Sequence, residues 1–336
     1  MPLTRRHFLH TSLAALAGCG APLRRFPFDP GRTGELPPEQ GLSIDYYGVA
    51  CFQFRWAGRA VLLDPYFSRF NIWRTGFGNI APDPKQVDPY IPQLRQVDTV
   101  LVGHAHYDHM LDLPYLAPHF QPQTQVISNA TLKHTLAPFE LPLRWTVANP
   151  LAATPTTTGT WIRSENGRVR IMPIESSHPN HWAFIHLYPH AVHEDRSRQP
   201  HRAAHYQEGR SFAFLIDFMN TDDTIAHRVF AQTSSNGFPS GSFPKTLLKE
   251  KPVDIAIVSM DSCKEKARGK PSIIDYVDPS EVFFGHWDSF FRRKDQVPHE
   301  VMKVNLPRLH RYYQTQSDRK YRFPGFDTQY FFPNAD

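Results

Sequence analysis

The chain has 336 residues, 40% of them hydrophobic, and a formal net charge of +5 at pH 7. This length suits one large domain or two modest ones, and no apolar run reaches the roughly twenty residues of a membrane-spanning helix. The basic residues beyond the N-terminus are scattered, so the charge gives no reason to expect a nucleic-acid surface.

The N-terminal stretch TRRHFLHTSLAALAGCG has paired arginines, Arg5 and Arg6, followed by a short, weakly apolar run that ends at Cys19. It resembles a twin-arginine export signal followed by a bacterial lipobox. The resemblance implies a signal peptide over residues 1–18, cleavage before Cys19 and a lipid on that thiol. It also implies a periplasm-facing lipoprotein, and Gly20 rather than Asp favours the outer over the inner membrane. The alternative is a frayed N-terminal helix that happens to contain two arginines.

Residues 19–41 are rich in Pro and Gly and lack periodicity, which predicts a tether between the lipid and a domain over 42–336. The mature chain keeps Cys51 and Cys263, which are too few for a disulfide scaffold. We expect both to be free, buried thiols.

Within the domain, the region 42–63 predicts β-strands around a turn at residues 57–59, and residues 69–95 predict a long irregular loop. A strand over 99–103 follows, then a shorter strand leading into a helix that begins after an Asn cap. Asn166-Gly167 predicts a tight hairpin, and residues 189–210 predict an exposed insertion. Three further strands are expected in SFAFLIDF, IAHRVFAQT and VDIAIVSMD. Near the C-terminus a helix over 299–314 is expected to be kinked or split at Pro307.

The most informative stretch is DTVLVGHAHYDHMLDLPYL, residues 98–116, which places three imidazoles and a carboxylate directly behind an apolar strand. His104 and His106 are two apart, so in an extended segment they face the same side and can hold one cation. Asp108 and His109 follow the turn and can reach a second cation. Neutral imidazoles and carboxylates suit Zn²⁺, and also iron or manganese. A His/Asp cluster without thiols is typical of an open, reactive metal site.

The HAHYDH segment is similar to the H-x-H-x-D-H signature of the metallo-β-lactamase superfamily. GRAVLLDPY resembles that fold's early strand, with Asp64 as a carboxylate that orients metal-binding histidines. IMPIESSHP supplies His178 at the position of the third ligand to the first metal, and FFGHWDSFF supplies His286 at that of the late ligand to the second. The matches cover about residues 42–290 and imply an α/β fold, an αββα sandwich of two mixed β-sheets packed face to face with helices outside. They look most like the branch of N-acyl-phosphatidylethanolamine phospholipase D and sugar-acid lactonases.

The sequence departs from the family pattern at the carboxylate that bridges the two metals. Thr233 or Ser234 stands there, and a neutral hydroxyl cannot offset the charge of two dications. Either the second metal is held loosely, or another carboxylate substitutes. Asp261 is a candidate for this substitute carboxylate, although we favour the interpretation that it is an ordinary turn residue at the end of a strand. His181 could contact substrate or donate a proton, with His178 preferred as the ligand. Seven other histidines receive no role: His134, His186, His190, His193, His201, His205 and His310.

These features predict a metal-dependent hydrolase of an ester-type bond, with a phosphodiester first and a lactone or carboxylic ester next. The metal ligands are His104, His106, Asp108, His109, His178 and His286, and the cofactor is Zn²⁺ at two positions, the second one weak. Asp108 is the catalytic residue, because it would also hold the attacking hydroxide in line. The expected partners are a small or lipid-like substrate and, through Cys19, a membrane. A non-catalytic envelope lipoprotein that keeps a partial metal site is the alternative. An iron-based redox enzyme would need an electron-carrier domain for which no sequence remains.

Overall fold

A computed structural model describes residues 20–31, 41–181 and 186–334 of the chain. The predicted signal peptide over 1–18, Cys19 and residues 32–40 of the predicted tether lie outside the described residues. None of the helices in the described ranges is both long and apolar enough to cross a membrane.

The described strands form two seven-stranded sheets. The first contains β1 (Gly41–Gly48), β2 (Cys51–Trp56), β3 (Arg59–Leu63), β4 (Val97–Leu101), β5 (Gln125–Ser128), β6 (Arg144–Val147) and β14 (Thr328–Pro333). The second contains β7 (Ile162–Arg163), β8 (Val169–Glu175), β9 (Phe212–Met219), β10 (Ile225–Gln232), β11 (Ile255–Val258), β12 (Glu281–Phe284) and β13 (Lys320–Arg322). The strand orders are β14-β1-β2-β3-β4-β5-β6 and β13-β12-β11-β10-β9-β8-β7. Both sheets mix parallel and antiparallel pairs, which confirms the predicted αββα sandwich.

The helices of the described residues are short and connect the strands. They are α1 (Ile72–Phe77), α2 (Pro84–Val87), α3 (Ile91–Leu94), α4 (Tyr107–Met110), α5 (Leu113–Leu116), α6 (Ala130–Leu136), α7 (Thr246–Glu250), α8 (Met260–Ala267), α9 (Ile273–Val277) and α10 (Leu306–Gln314). Four 3₁₀ turns lie at Asp88–Tyr90, Ala117–His119, Ala137–Phe139 and Ala203–His205.

Strand β3 shows how the sequence divides the core. Val61 and Leu63 join the larger apolar cluster, which draws side chains from both sheets, while Ala60 and Leu62 join a second cluster with the helices that cover the first sheet. Successive side chains of a strand point to opposite faces, so an all-apolar strand is buried on both sides. Cys51 and Cys263 lie in these cores as free thiols, as predicted.

The site-bearing loops leave one edge of the sandwich because of strand direction. Strands β3, β4 and β5 are parallel neighbours, as are β10, β11 and β12. Strand β8 is antiparallel to β9, which is antiparallel to β10, so β8 runs in the same sense as β10. The carboxyl ends of these strands are where ligands bind in open α/β sheets.

Three local predictions were wrong. The region 69–95 is not one irregular loop but contains α1, α2 and α3. Pro307 does not kink a helix, because it occupies the first turn of α10, where its missing N–H is not needed. The insertion over 189–210 is exposed only in part, since Ala203, Tyr206 and Glu208 are buried near its end.

Residues 20–31, within the predicted tether, lie against the domain. Leu23 is buried in the larger apolar cluster, and its backbone N–H donates to the carbonyl of Pro298 at 2.8 Å. Pro22 and Asp29 form isolated β-bridges with His299 and Pro324. This stretch is therefore docked on the domain, with a turn at Arg24 and Arg25 between its two isolated bridges.

Candidate metal centre

The segment that follows β4 places its histidines in a buried turn. His104 and His106 lie in the connection, and Asp108 and His109 lie on the short helix α4. All four are buried, with His104 fully inaccessible. Burying so many ionisable groups is costly unless they are paired or bind a ligand. This cost points to a cation-binding role.

Three imidazoles form what we call the inner triad: His104, His106 and His178. Their ligand nitrogens lie within 4.8 Å of one another, and the ring centroids are 4.7 to 4.8 Å apart. Both ring nitrogens of His104 are buried without a hydrogen-bond partner among the described residues. Burial lowers the pKa of His104 and lowers that of His106 to about 3, so both rings are neutral. Neutral imidazoles with unused lone pairs fit a transition-metal dication such as Zn²⁺.

A second group, the mixed triad, consists of Asp108, His109 and His286, whose ligand atoms also lie within 4.8 Å of one another. Oδ2 of Asp108 is 3.5 Å from Nε2 of His286 and 3.8 Å from Nε2 of His109. Burial alone would raise the pKa of Asp108, but His109 and His286 bring it below its ordinary value. The carboxylate is therefore ionised, as a metal ligand requires.

Asp64, at the end of β3, orients His109. Its Oδ2 lies 2.7 Å from Nδ1 of His109, and its Oδ1 accepts the backbone N–H of Gly103 at 2.8 Å. Burial would lower the pKa of His109, but Asp64 and Asp108 raise it above its usual value. With Nδ1 engaged, Nε2 faces Asp108, which is the carboxylate–histidine arrangement typical of metal sites.

A network that the sequence reasoning missed holds His286. This residue follows β12 in the left-handed region, at φ 56°, and its N–H donates to the carbonyl of Val49 at 2.5 Å. Asp288, two residues on, accepts the N–H of Val49 at 2.8 Å and the hydroxyl of Tyr46 at 2.9 Å. The other oxygen of Asp288 is 2.6 Å from Arg69, and both side chains are 1% exposed. Strained residues of this kind collect at functional sites.

At the expected position of the bridging carboxylate, Thr233 follows β10 and is buried together with Ser234. A Cβ on Gly103 would come within 2.7 Å of the Thr233 hydroxyl, so these two segments touch. Asp261 is in the first turn of α8 and pairs with Lys264 at 2.6 Å. It belongs to none of the ligand clusters formed by the described residues. The structure therefore shows it as an ion-paired helix residue.

A third group, the outer triad, contains His178, His181 and His186, with ligand atoms within 4.8 Å of one another. The His178 ring stacks on those of His181 and His186 at 4.6 and 5.2 Å. Burial lowers the pKa of His181 to about 4, and Nε2 of His186 contacts the carboxylate of Glu208. His186 had received no role. Its five-residue separation from His181 in a segment without periodicity offered no signal.

A cavity of about 130 Å³ opens beside the metal centre. Asp108, His178 and His286 contribute from the cluster, and Met260, Phe290 and Val304 are among the apolar residues of the wall, which also holds the cations Lys264 and Lys303. A wider open cleft along residues 191–207 contains none of the predicted site residues. Of the other histidines without a role, His134 pairs with Asp195, and none belongs to a ligand cluster of the described residues.

Comparison with known proteins agrees with this geometry. Residues 59–232 match the model of a family described as a β-lactamase superfamily domain. No curated protein matches the chain.

Three solved structures share the fold. Igni18, a novel metallo hydrolase from Ignicoccus hospitalis KIN4/I, is 14% identical over 88% of this chain and 99% of its own, with a TM-score of 0.52. A possible metal-dependent hydrolase from Veillonella parvula DSM 2008 is 10% identical over 87% and 100%, with a TM-score of 0.52. An isothiocyanate hydrolase from Delia radicum gut bacteria is 12% identical over 87% and 99%, with a TM-score of 0.50. At such identities the likeness shows the fold alone.

Proposed function

We propose that this chain, since it belongs to the β-lactamase superfamily, is a metal-dependent hydrolase of ester-type bonds, with a phosphodiester as the first choice of substrate. Lactones and carboxylic esters come next. The observation that carries the proposal is the convergence of the inner and mixed triads at one edge of the sandwich, beside a cavity that a substrate can enter.

A bound divalent cation would lower the pKa of a coordinated water from about 16 to about 7 and stabilise negative charge on the substrate. The inner triad would hold one Zn²⁺ and the mixed triad another. Asp108 is ionised and can orient the attacking water. Asp64 fixes which nitrogen of His109 faces the site, and Asp288 holds the loop of His286. The protein thus supplies preorganised ligands on a rigid frame.

The cations of the cavity wall support an anionic substrate. Lys264 is paired with Asp261, whereas Lys303 forms no ion pair with a described residue and donates to the carbonyl of Asn180 at 3.4 Å. Lys303 is held at φ 63° in a turn. Because the ammonium of Lys303 has no carboxylate partner among the described residues, it can pair with the anionic oxygen of a phosphodiester. A neutral ester carries no such charge.

The test is hydrolysis of bis(p-nitrophenyl) phosphate, a lactone series and phospholipids by metal-loaded protein. We expect turnover of the phosphodiester and its loss in His106→Ala, with His134→Ala as the matched control because His134 lies on the surface beside Asp195. Turnover of lactones alone would refute the phosphodiester choice.

The replacement of the bridging carboxylate by Thr233 favours a second candidate, a non-catalytic envelope protein with a partial metal site. Elemental analysis of protein purified without chelator separates the two. About two metals per chain supports the hydrolase, and none supports the non-catalytic protein.

We also propose, from the residues around Arg5, Arg6 and Cys19, that the chain is exported and lipid-anchored in the periplasm, on the outer rather than the inner membrane. Membrane fractionation and the mass of the mature N-terminus test this. Cys19→Ala should release the protein from the membrane fraction, and an intact N-terminal Met1 in the purified protein would contradict export.

A further inference from the structure

The outer triad is not needed by the proposed two-metal hydrolase. That function uses only His178 of the three, yet His181 and His186 bring their ligand nitrogens within 4.8 Å of it and of each other. Three imidazoles without a thiolate form a donor set for Zn²⁺, Co²⁺, Ni²⁺ or Cu²⁺ rather than for Ca²⁺ or Mg²⁺.

Glu208 gives this cluster a second feature of a metal site. Its buried carboxylate contacts Nε2 of His186, which leaves Nδ1 of that ring for a cation. Asp64 engages Nδ1 of His109 in the same way and leaves Nε2. Such carboxylate–histidine pairs fix the tautomer and orientation of rings that bind metals. The same device therefore appears at the mixed triad and at the outer triad.

The position of the outer triad suggests its role. His104 and His106 are buried, whereas His181 and His186 are partly exposed. The outer triad therefore lies between solvent and the inner triad. His178 belongs to both triads, and its Nδ1 is buried without a hydrogen-bond partner among the described residues. A neutral imidazole has one lone pair to give to a metal, so a cation in one triad takes His178 from the other and the two triads cannot both be filled with three ligands.

We propose that the outer triad captures an imidazole-preferring divalent cation and passes it to the inner triad through His178. This inference rests on the inner triad binding a metal, as the proposed function requires. Nδ1 of His181 accepts a hydrogen bond from the N–H of Leu187 at 3.2 Å. A cation bound to that nitrogen would replace this hydrogen bond. The cation then exchanges the two outer imidazoles for His104 and His106.

The experiment measures how fast apo-protein takes up Co²⁺, by stopped-flow absorbance, and how much it holds at the end, by elemental analysis. His181→Ala and His186→Ala should load at least about tenfold more slowly than wild type but reach the same final content. Glu208→Gln, which keeps the shape of the side chain, should weaken capture by about tenfold. His193→Ala is the control, because His193 is exposed and lies outside the three clusters. Circular dichroism of each apo-variant checks the fold.

Two results would overturn the inference. One is wild-type loading rates in both His181→Ala and His186→Ala. The other is a third equivalent of metal held at saturation by the wild type, since inner and outer triads would then be filled together. Failure of the proposed function looks different. In that case the wild type binds no metal at all, or binds it equally well after His104→Ala.

Discussion

Replacing Arg69 by Met should both destabilise the protein and loosen His286, a proposed metal ligand. Arg69 and Asp288 form an ion pair at 2.6 Å in which each side chain is 1% exposed. Asp288 also fastens the loop of His286 to the backbone of Val49. Removing the cation leaves a buried carboxylate without its charge partner.

The expected magnitude follows from that burial. Breaking a fully buried pair by removing one partner costs about 3–5 kcal/mol. Asp288 would keep its hydrogen bonds from Val49 N–H and the Tyr46 hydroxyl. We therefore expect a loss at the lower end, about 3 kcal/mol in the free energy of unfolding.

Urea unfolding of the metal-free protein measures the loss, and metal titration measures the effect on His286. Arg163→Met is the matched control, because Arg163 pairs with Asp223 at 3.1 Å on the surface, with 50% and 73% of the two side chains exposed. That change should cost no more than about 1 kcal/mol. The double variant Arg69→Met/Asp288→Asn removes the stranded charge and should recover much of the stability while the second metal stays weak.

A loss in Arg69→Met no larger than in Arg163→Met would refute the reasoning, since the buried pair would then contribute no more than a surface pair. Full stability together with weak metal binding in Arg69→Met would show that Arg69 acts on the loop alone.

Four further predictions concern the site. Asp64→Asn should weaken metal binding about 10- to 100-fold in titrations, because the amide no longer fixes the ring of His109, and an unchanged affinity would contradict this. Thr233→Asp should raise the affinity for the second metal by about tenfold or more, since a carboxylate offsets the charge of that metal. Elemental analysis after dialysis measures the retained metal. An unchanged metal content would show that another group already offsets the charge. Lys303→Ala should raise KM for a phosphodiester about fivefold and leave a neutral carboxylic ester unaffected, and equal effects on both would remove Lys303 from anion binding. Acid should release the metal of the mixed triad first. Because the pKa of His109 is raised, protons compete with the metal for this ring as the pH falls below neutrality, whereas the pKa of His106, about 3, keeps the inner triad deprotonated. The metal content after dialysis at pH 7 and at pH 5.5 measures the order of release. Loss of the metal of the inner triad first would contradict this prediction.

The local part of the site could be predicted from the sequence because its spacing is local. His104 and His106 alternate on one side of an extended segment, and Asp108 and His109 follow at once. His178 was assigned through the family resemblance, and it was preferred to His181 because it comes first after the strand. The fold class was likewise predicted through the family resemblance, since strand composition alone does not give the strand order of the two sheets.

The missed features depend on contacts between distant segments. Arg69 and Asp288 belong to loops that follow strands of different sheets, and the contact of His186 with His178 does not follow from their spacing in the sequence. Pro307 was misread because a proline's position relative to a helix start decides whether it breaks the helix or begins it. The cap that settled this is Asn305, whose side chain accepts the N–H of Arg308.

The docked segment at residues 20–31 fixes more than the path of the backbone. The carbonyl of Ala21 accepts the N–H of Glu300 at 3.3 Å, and the N–H of Ala21 donates to Oε1 of Glu300 at 3.2 Å. Glu300 lies three residues before Lys303 at the cavity. A lipid on Cys19 would then be separated from this contact by only one or two residues, at most about 4 Å each. If the proposed lipid is present, this short connection would keep the docked segment, and the nearby mouth of the cavity, close to the headgroups. Amphipathic substrates could then reach the cavity without first leaving the membrane.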